Sequence, residues 1–90
     1  MDFKYEEHRI YSVDDDGRII AQISFPMVED GVVNIDSTYV SSSLRGQGIA
    51  GKLMDDAIDI IEKNNWKTYL DCSYARVWAD KHPEKSHLYL

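Results

Sequence analysis

Three glycines within six residues, Gly46, Gly48 and Gly51, stand at the mouth of a long helical pattern. They constrain the fold more than any other feature of this chain. Downstream, Ile49, Leu53, Ala57, Ile60 and Ile61 recur at spacings of three and four, with Lys52, Asp55, Asp56, Asp59 and Lys63 mostly opposite, the pattern of an amphipathic helix. Upstream, an apolar strand pattern ends at Val40, and the polar loop Ser41–Leu44 leads into Arg45-Gly46-Gln47-Gly48-Ile49-Ala50-Gly51. Glycines between a strand and a helix let the backbone approach a ligand closely. The unpaired amides of the first helical turn and the helix dipole then favour an anion. The segment reads as a phosphate seat at a helix N-terminus.

The rest of the chain places that seat in an α+β fold. Phe3, Tyr5, Arg9, Tyr11 and Val13 share one parity and predict a first strand over Phe3–Val13, closed by the turn Asp14–Gly17. Ile19, Ala21, Ile23 and Phe25 alternate as the apolar face of a second strand that ends at Pro26, before a turn at Glu29-Asp30-Gly31. In the third strand, Val32–Val40, the apolar parity changes between Ile35 and Val40. Either a β-bulge re-aims the strand or both its faces are buried. Asn64-Asn65 ends the helix, because asparagine tolerates the left-handed cap conformation. A strand Trp66–Cys72 follows, with Thr68, Leu70 and Cys72 on one side. A second helix over Tyr74–His82 carries the stripe Tyr74, Val77 and Trp78, with Pro83 just past its end. The expected order is β-β-β-α-β-α in one domain over residues 1–90: a mostly antiparallel sheet with helices packed on it.

Composition narrows the partners. The formal net charge is −6, and no basic stripe exists to neutralise successive phosphates, so nucleic acid is not an expected partner. A single small anion remains compatible, since backbone amides hold it whatever the global charge. Cys72 is the lone cysteine and cannot form an internal disulfide; no signal peptide or long apolar run is visible, so the expectation is a cytoplasmic protein with no membrane partner. His8, His82 and His87 are scattered without ligand spacing, so no metal site is expected.

Three families write a glycine turn with similar letters. Gly46-x-Gly48-x-x-Gly51 matches the dinucleotide fingerprint, with Asp71 about 20 residues downstream, where an acid would meet a ribose. That fingerprint belongs directly after the opening strand of a βαβ unit, whereas here hairpin strands come first and Ser41–Arg45 intervene. Gly46-x-x-x-x-Gly51-Lys52 nearly matches a P-loop, but Leu53 stands where Ser or Thr would hold magnesium. The third reading is Arg45-x-x-Gly48-x-Ala50, after a strand and a short loop and opening a long helix. This resembles the pyrophosphate-binding motif of the GNAT superfamily of N-acetyltransferases. Cys72-Ser-Tyr74 and His82-Pro83-Glu84 extend the likeness to the smallest GNAT-like proteins, over about Val32–Leu88. Where that small group often carries a His-Thr pair before the loop, this chain has Ser37-Thr38.

The resemblance implies a minimal GNAT-like fold that binds acetyl-CoA. The amides of Gln47, Gly48, Ile49, Ala50 and Gly51, with Gly46 in the turn, would hold the pyrophosphate. The backbone of Tyr39, Val40 and Ser42 would pair with the pantetheine arm, and Arg45 or Lys52 would meet a ribose phosphate; as bare surface charges these two side chains read equally well. Cys72 has two readings, a nucleophilic thiol near the acetyl group or a small buried apolar residue, and no basic neighbour in sequence would depress its pKa. Tyr74 reads either as the proton donor to the departing thiolate or as a core aromatic. The implied acceptor is an unidentified amine or protein, with a homodimer or partner protein as one way to complete the site. The alternative is an acyl-CoA-binding or sensing module without its own acceptor site.

Overall fold

The computed structural model describes residues 1–90. Its elements run β1 (Lys4–Glu6), β2 (Arg9–Val13), β3 (Ile19–Ser24), β4 (Met27–Glu29), β5 (Val32–Ile35), β6 (Ser37–Val40), a 3-10 turn (Ser42–Leu44), α1 (Ile49–Lys63), β7 (Lys67–Leu70), α2 (Ser73–Asp80) and a 3-10 segment (Pro83–Leu88). The class is α+β, as expected; the expected first and third strands are each divided in two, the second is found as β3, and β4 forms beyond Pro26, where no strand was expected.

The first division changes which side chains face inward. The expected strand Phe3–Val13 reverses at Glu7-His8, so β1 and β2 form a hairpin with Tyr5 opposite Ile10. Cross-strand partners share a face. Even positions after the turn therefore point to the core, which buries Ile10 and Ser12 rather than Tyr11 and Val13, while β1 stays exposed, Tyr5 included. Buried Ser12 is satisfied by donating to the Asp2 carbonyl at 2.8 Å.

The segments β3–β4 and β5–β6 run antiparallel around the turn at Asp30-Gly31. Val33 and Ile35 are buried, and beyond Asp36 the inward positions become Thr38 and Val40. The parity change marks the point where the chain passes from one sheet to the other. β6 joins the sheet β1-β2-β3-β6, whereas β5 joins β4-β5-β7. β7 runs parallel to β5, Ile35 lying opposite Leu70, and the last bond between the two segments is the Cys72 amide to the Ile35 carbonyl at 3.1 Å. There the chain turns away into α2, leaving β6 as an edge strand. The two segments fork.

Both helices cover the inward face. α1 buries Leu53, Met54, Ala57, Ile58 and Ile61, a stripe turned slightly from the expected one, with Ile60 only half-buried. α2 buries Ala75, Trp78 and Ala79; contrary to expectation Val77 is 52% exposed, because the buried face runs through those three residues and Val77 lies off it. Asn65 takes φ 59° just past α1, the left-handed conformation expected there.

Candidate functional site

The glycine turn is built as an open helix start. Gly46 and Gly48 have φ of 84° and 74°, and Gly48 is the N-cap of α1. In this region a β-carbon clashes with the backbone, so glycine is the natural occupant. The first main-chain bond of the helix is Lys52 N–H to the Gly48 carbonyl at 3.1 Å. The amides of Ile49, Ala50 and Gly51 therefore have no acceptor inside the helix, and no acidic side chain occupies the first turn. Above them opens a cleft of about 150 Å³, with Val40 and Leu44 on the strand side and Tyr74 across from Gly51. A β-carbon on Gly51 would lie 3.7 Å from the Tyr74 hydroxyl.

Of the residues singled out in the sequence, Val40, Arg45, Gly46, Gly48, Ile49, Ala50, Gly51 and Tyr74 line this cleft. Tyr39, Ser42, Gln47 and Lys52 lie outside its lining, all four exposed. Lys52 is turned along α1 to Asp56 at 2.8 Å, and Asp56 also accepts from the Tyr5 hydroxyl at 2.6 Å.

The fork lies beside the cleft. β6 pairs with β3 alone, and Ser41 N–H donates to Ile20 at 2.8 Å. Antiparallel alternation then turns the main-chain groups of Tyr39 toward β3 and those of Thr38 and Val40 toward the open edge. On the facing side sits Cys72, half-buried, with its sulfur 3.3 Å from the Thr38 hydroxyl. Burial is the largest influence on this thiol and pushes its pKa up. The Thr38 hydroxyl and the amides of Ala75, Tyr74 and Thr38 together outweigh it, so the thiol ionises below its ordinary value. The amides at the start of α2 act through space, since the sulfur closes no capping hydrogen bond there. Burial raises the pKa of the Tyr74 hydroxyl, and the nearby Asp55 and Cys72 charges add to that, so Tyr74 keeps its proton at neutral pH.

Sequence reasoning missed Leu44, Thr38 and Asp55. Leu44 was legible as the one apolar residue of a polar loop, and Thr38 by its shared parity with Val40. Asp55 acts on Tyr74 only through the packing of α1 on α2. A further cavity of about 170 Å³ lies along the same helix pair, lined by Asp55, Asp59, Trp78, His82 and Glu84 among others. Its carboxylates stand beside His82 and Lys85, whereas no carboxylate lines the glycine cleft. No helix is long and apolar enough to cross a membrane.

Residues 9–88 match the family model described as GCN5-related N-acetyl-transferase. The fold is similar to the solution structure of a GCN5-like protein from Staphylococcus aureus, at TM-score 0.81 and 32% identity, covering 99% of this chain and 87% of that one. Tetrahymena GCN5 is similar at TM-score 0.60 and 20% identity, over 86% of this chain and 51% of that one. A GNAT-family N-acetyltransferase (YhbS) from Escherichia coli, solved in complex with CoA, is similar at TM-score 0.55 and 22% identity, over 68% and 38%. The chain thus spans about half of the Tetrahymena protein and less of the E. coli one. No curated protein matches it.

Proposed function

The chain belongs to the GCN5-related N-acetyltransferase family, and from that premise we propose that its 90 residues form one domain that binds acetyl-CoA and transfers the acetyl group to an amine. The observation that carries the proposal is the cleft joining three free amides at the start of α1 to the open edge of β6. A diphosphate fits the amides of Ile49, Ala50 and Gly51, where bare glycine backbone leaves room for it. The main-chain groups of Thr38 and Val40 offer an extended pantetheine arm the hydrogen bonds of an added strand.

Acetyl-CoA supplies an acyl group activated as a thioester, displaceable from sulfur by a neutral amine. The Thr38 amide, on the open edge beside Cys72, would donate to the thioester carbonyl oxygen, an interaction that commonly contributes about 3–4 kcal/mol. Tyr74, still protonated at neutral pH, holds its proton beside the cleft for a departing thiolate. Arg45, on the rim, is free to meet a ribose phosphate, whereas Lys52 would first have to leave Asp56. The lowered pKa of Cys72 supports a thiol able to take the acetyl group transiently. A cytoplasmic location fits a lone half-buried thiol.

The test is an amide-shift NMR titration with acetyl-CoA, followed by a thiol-release assay against a broad panel of amines. The expected result is perturbation of Ile49, Ala50, Gly51, Thr38 and Val40 together with turnover above the hydrolysis blank. Binding without turnover identifies an acyl-CoA-binding or sensing module instead. Shifts confined to other surfaces sink the proposed site.

A further inference from the structure

The cleft approaches the fork from the helix side of the sheet, so the outer face is open to a second reactant. On that face β6 presents Ser37 and β3 presents Ser24, directly opposite each other in the register. Their hydroxyl oxygens lie 3.0 Å apart, and Ser24 donates its hydrogen to the Asp36 carboxylate. A serine has one hydrogen to give. Because Ser24 gives its own to Asp36, Ser37 must be the donor in the pair with Ser24. The chain of donors therefore has one direction, Ser37 to Ser24 to Asp36, and it leaves a lone pair on Ser37 Oγ facing solvent as an acceptor.

Ser37 is also next to Thr38, whose side chain points the other way and meets the Cys72 thiol. One strand thus carries a proton acceptor on its outer face and the fork on its inner side. A primary amine is an ammonium ion at neutral pH and must lose a proton before it attacks a thioester. We infer that the Ser37–Ser24–Asp36 chain is the path for that proton, Ser37 Oγ being the atom that meets the acceptor amine; the inference rests on the transferase reading above. In the step, the ammonium proton passes to Ser37, the Ser37 proton to Ser24, and the Ser24 proton to Asp36, which releases it to water. The freed amine forms the N–acyl bond as the S–acyl bond breaks, its nitrogen gives a second proton to solvent, and the sulfur leaves as the thiol after taking the Tyr74 proton, which solvent restores.

Charged groups on neighbouring elements leave Asp36 available. Arg9, opposite Ser24 on β2, is paired with Glu6 and donates to Gln22. Asp71, beyond β7, accepts from Asn34, and Arg76 of α2 donates to the Asp71 carbonyl. Tyr39 is the titratable residue of β6 itself. Ser37 is the catalytic residue of this inference; Ser24 and Asp36 act through it.

The test compares two amines, n-butylamine, an ammonium ion at neutral pH, and hydroxylamine, already neutral there. Asp36→Asn and Ser24→Ala should slow n-butylamine acetylation by about 10²-fold and move the rising limb of its pH profile to higher pH. Hydroxylamine should lose less than about tenfold, Asp36→Glu should restore part of the rate, and acetyl-CoA affinity by NMR should stay unchanged. In the free protein, Ser24→Ala should also move the Asp36 carboxyl carbon resonance at fixed pH. If both variants acetylate n-butylamine at the wild-type rate and profile, the relay is wrong and the transferase reading stands. Loss of acetyl-CoA binding in the variants, or equal loss with both amines, also overturns the relay. A wild-type protein that binds acetyl-CoA yet acetylates neither these two amines nor any of the broad panel overturns both.

Discussion

At the scale of single residues, the site depends on what is missing from two glycines and what surrounds one sulfur. Nothing lies within 4 Å of a β-carbon built on Gly48, so the constraint there is the backbone, at φ 74°. Gly48→Val should cost about 1–2 kcal/mol of stability from the left-handed conformation alone and abolish acetyl-CoA binding, since the turn would relax away from the amides. A Gly48→Val protein that binds acetyl-CoA as tightly as wild type would falsify the site. Cys72 gives a second prediction. Thr38→Val removes the hydroxyl beside the sulfur, so the thiol should ionise at higher pH and alkylate more slowly with iodoacetamide at neutral pH. An unchanged rate–pH curve would mean that Thr38 does not stabilise the thiolate. The sign for stability follows. The native thiol has a lowered pKa, so its contribution is present above the unfolded value near 9.0 and is lost as pH falls through the native one.

At the scale of elements, α1 is anchored by two ionic clusters. Near its start, burial pushes the Asp56 carboxyl up, but hydrogen bonds from Lys52 and Tyr5 outweigh it and hold it below the ordinary value of 3.8. Near its end, Glu62 is held below 4.5 by hydrogen bonds from Lys85 and His87. Both carboxylates are depressed, so their stabilisation is present above those ordinary values and lost as pH falls through the native ones. The melting temperature should drop on acidification below that range, and less steeply in Asp56→Asn. Parallel curves for the two proteins would count against the Asp56 cluster. Gly51 offers an opposite effect. It lies in the helix, and its added methyl would meet only the Tyr74 hydroxyl at ordinary contact distance. Gly51→Ala should therefore stabilise the protein by about 0.5–1 kcal/mol, read from the urea midpoint.

At the scale of the whole molecule, the fork is held open by the core beneath it. Ile35 is fully buried, and its carbonyl receives the last bond before the segments part. Ile35→Ala should cost about 2–5 kcal/mol, a large share of the roughly 5–13 kcal/mol expected for a chain this short. A loss under 1 kcal/mol in chemical denaturation would show that the fork does not depend on it. The glycine turn, the long helix and the left-handed end at Asn65 were legible in sequence because each is a local preference written in adjacent residues. The reversal at Glu7-His8 was not, because its two short strands also read as one continuous run of alternating parity. The parity change after Ile35 announced a break, but only the sheets reveal that β5 and β6 take different partners. The sequence alone determined where an anion could meet bare helical amides, since that depends on backbone freedom at two glycines. Tertiary structure alone decided that Cys72 faces Thr38, that Lys52 turns to Asp56 and that Ser24 lies between Ser37 and Asp36, because those contacts join residues separated along the chain and brought together by strand pairing and packing.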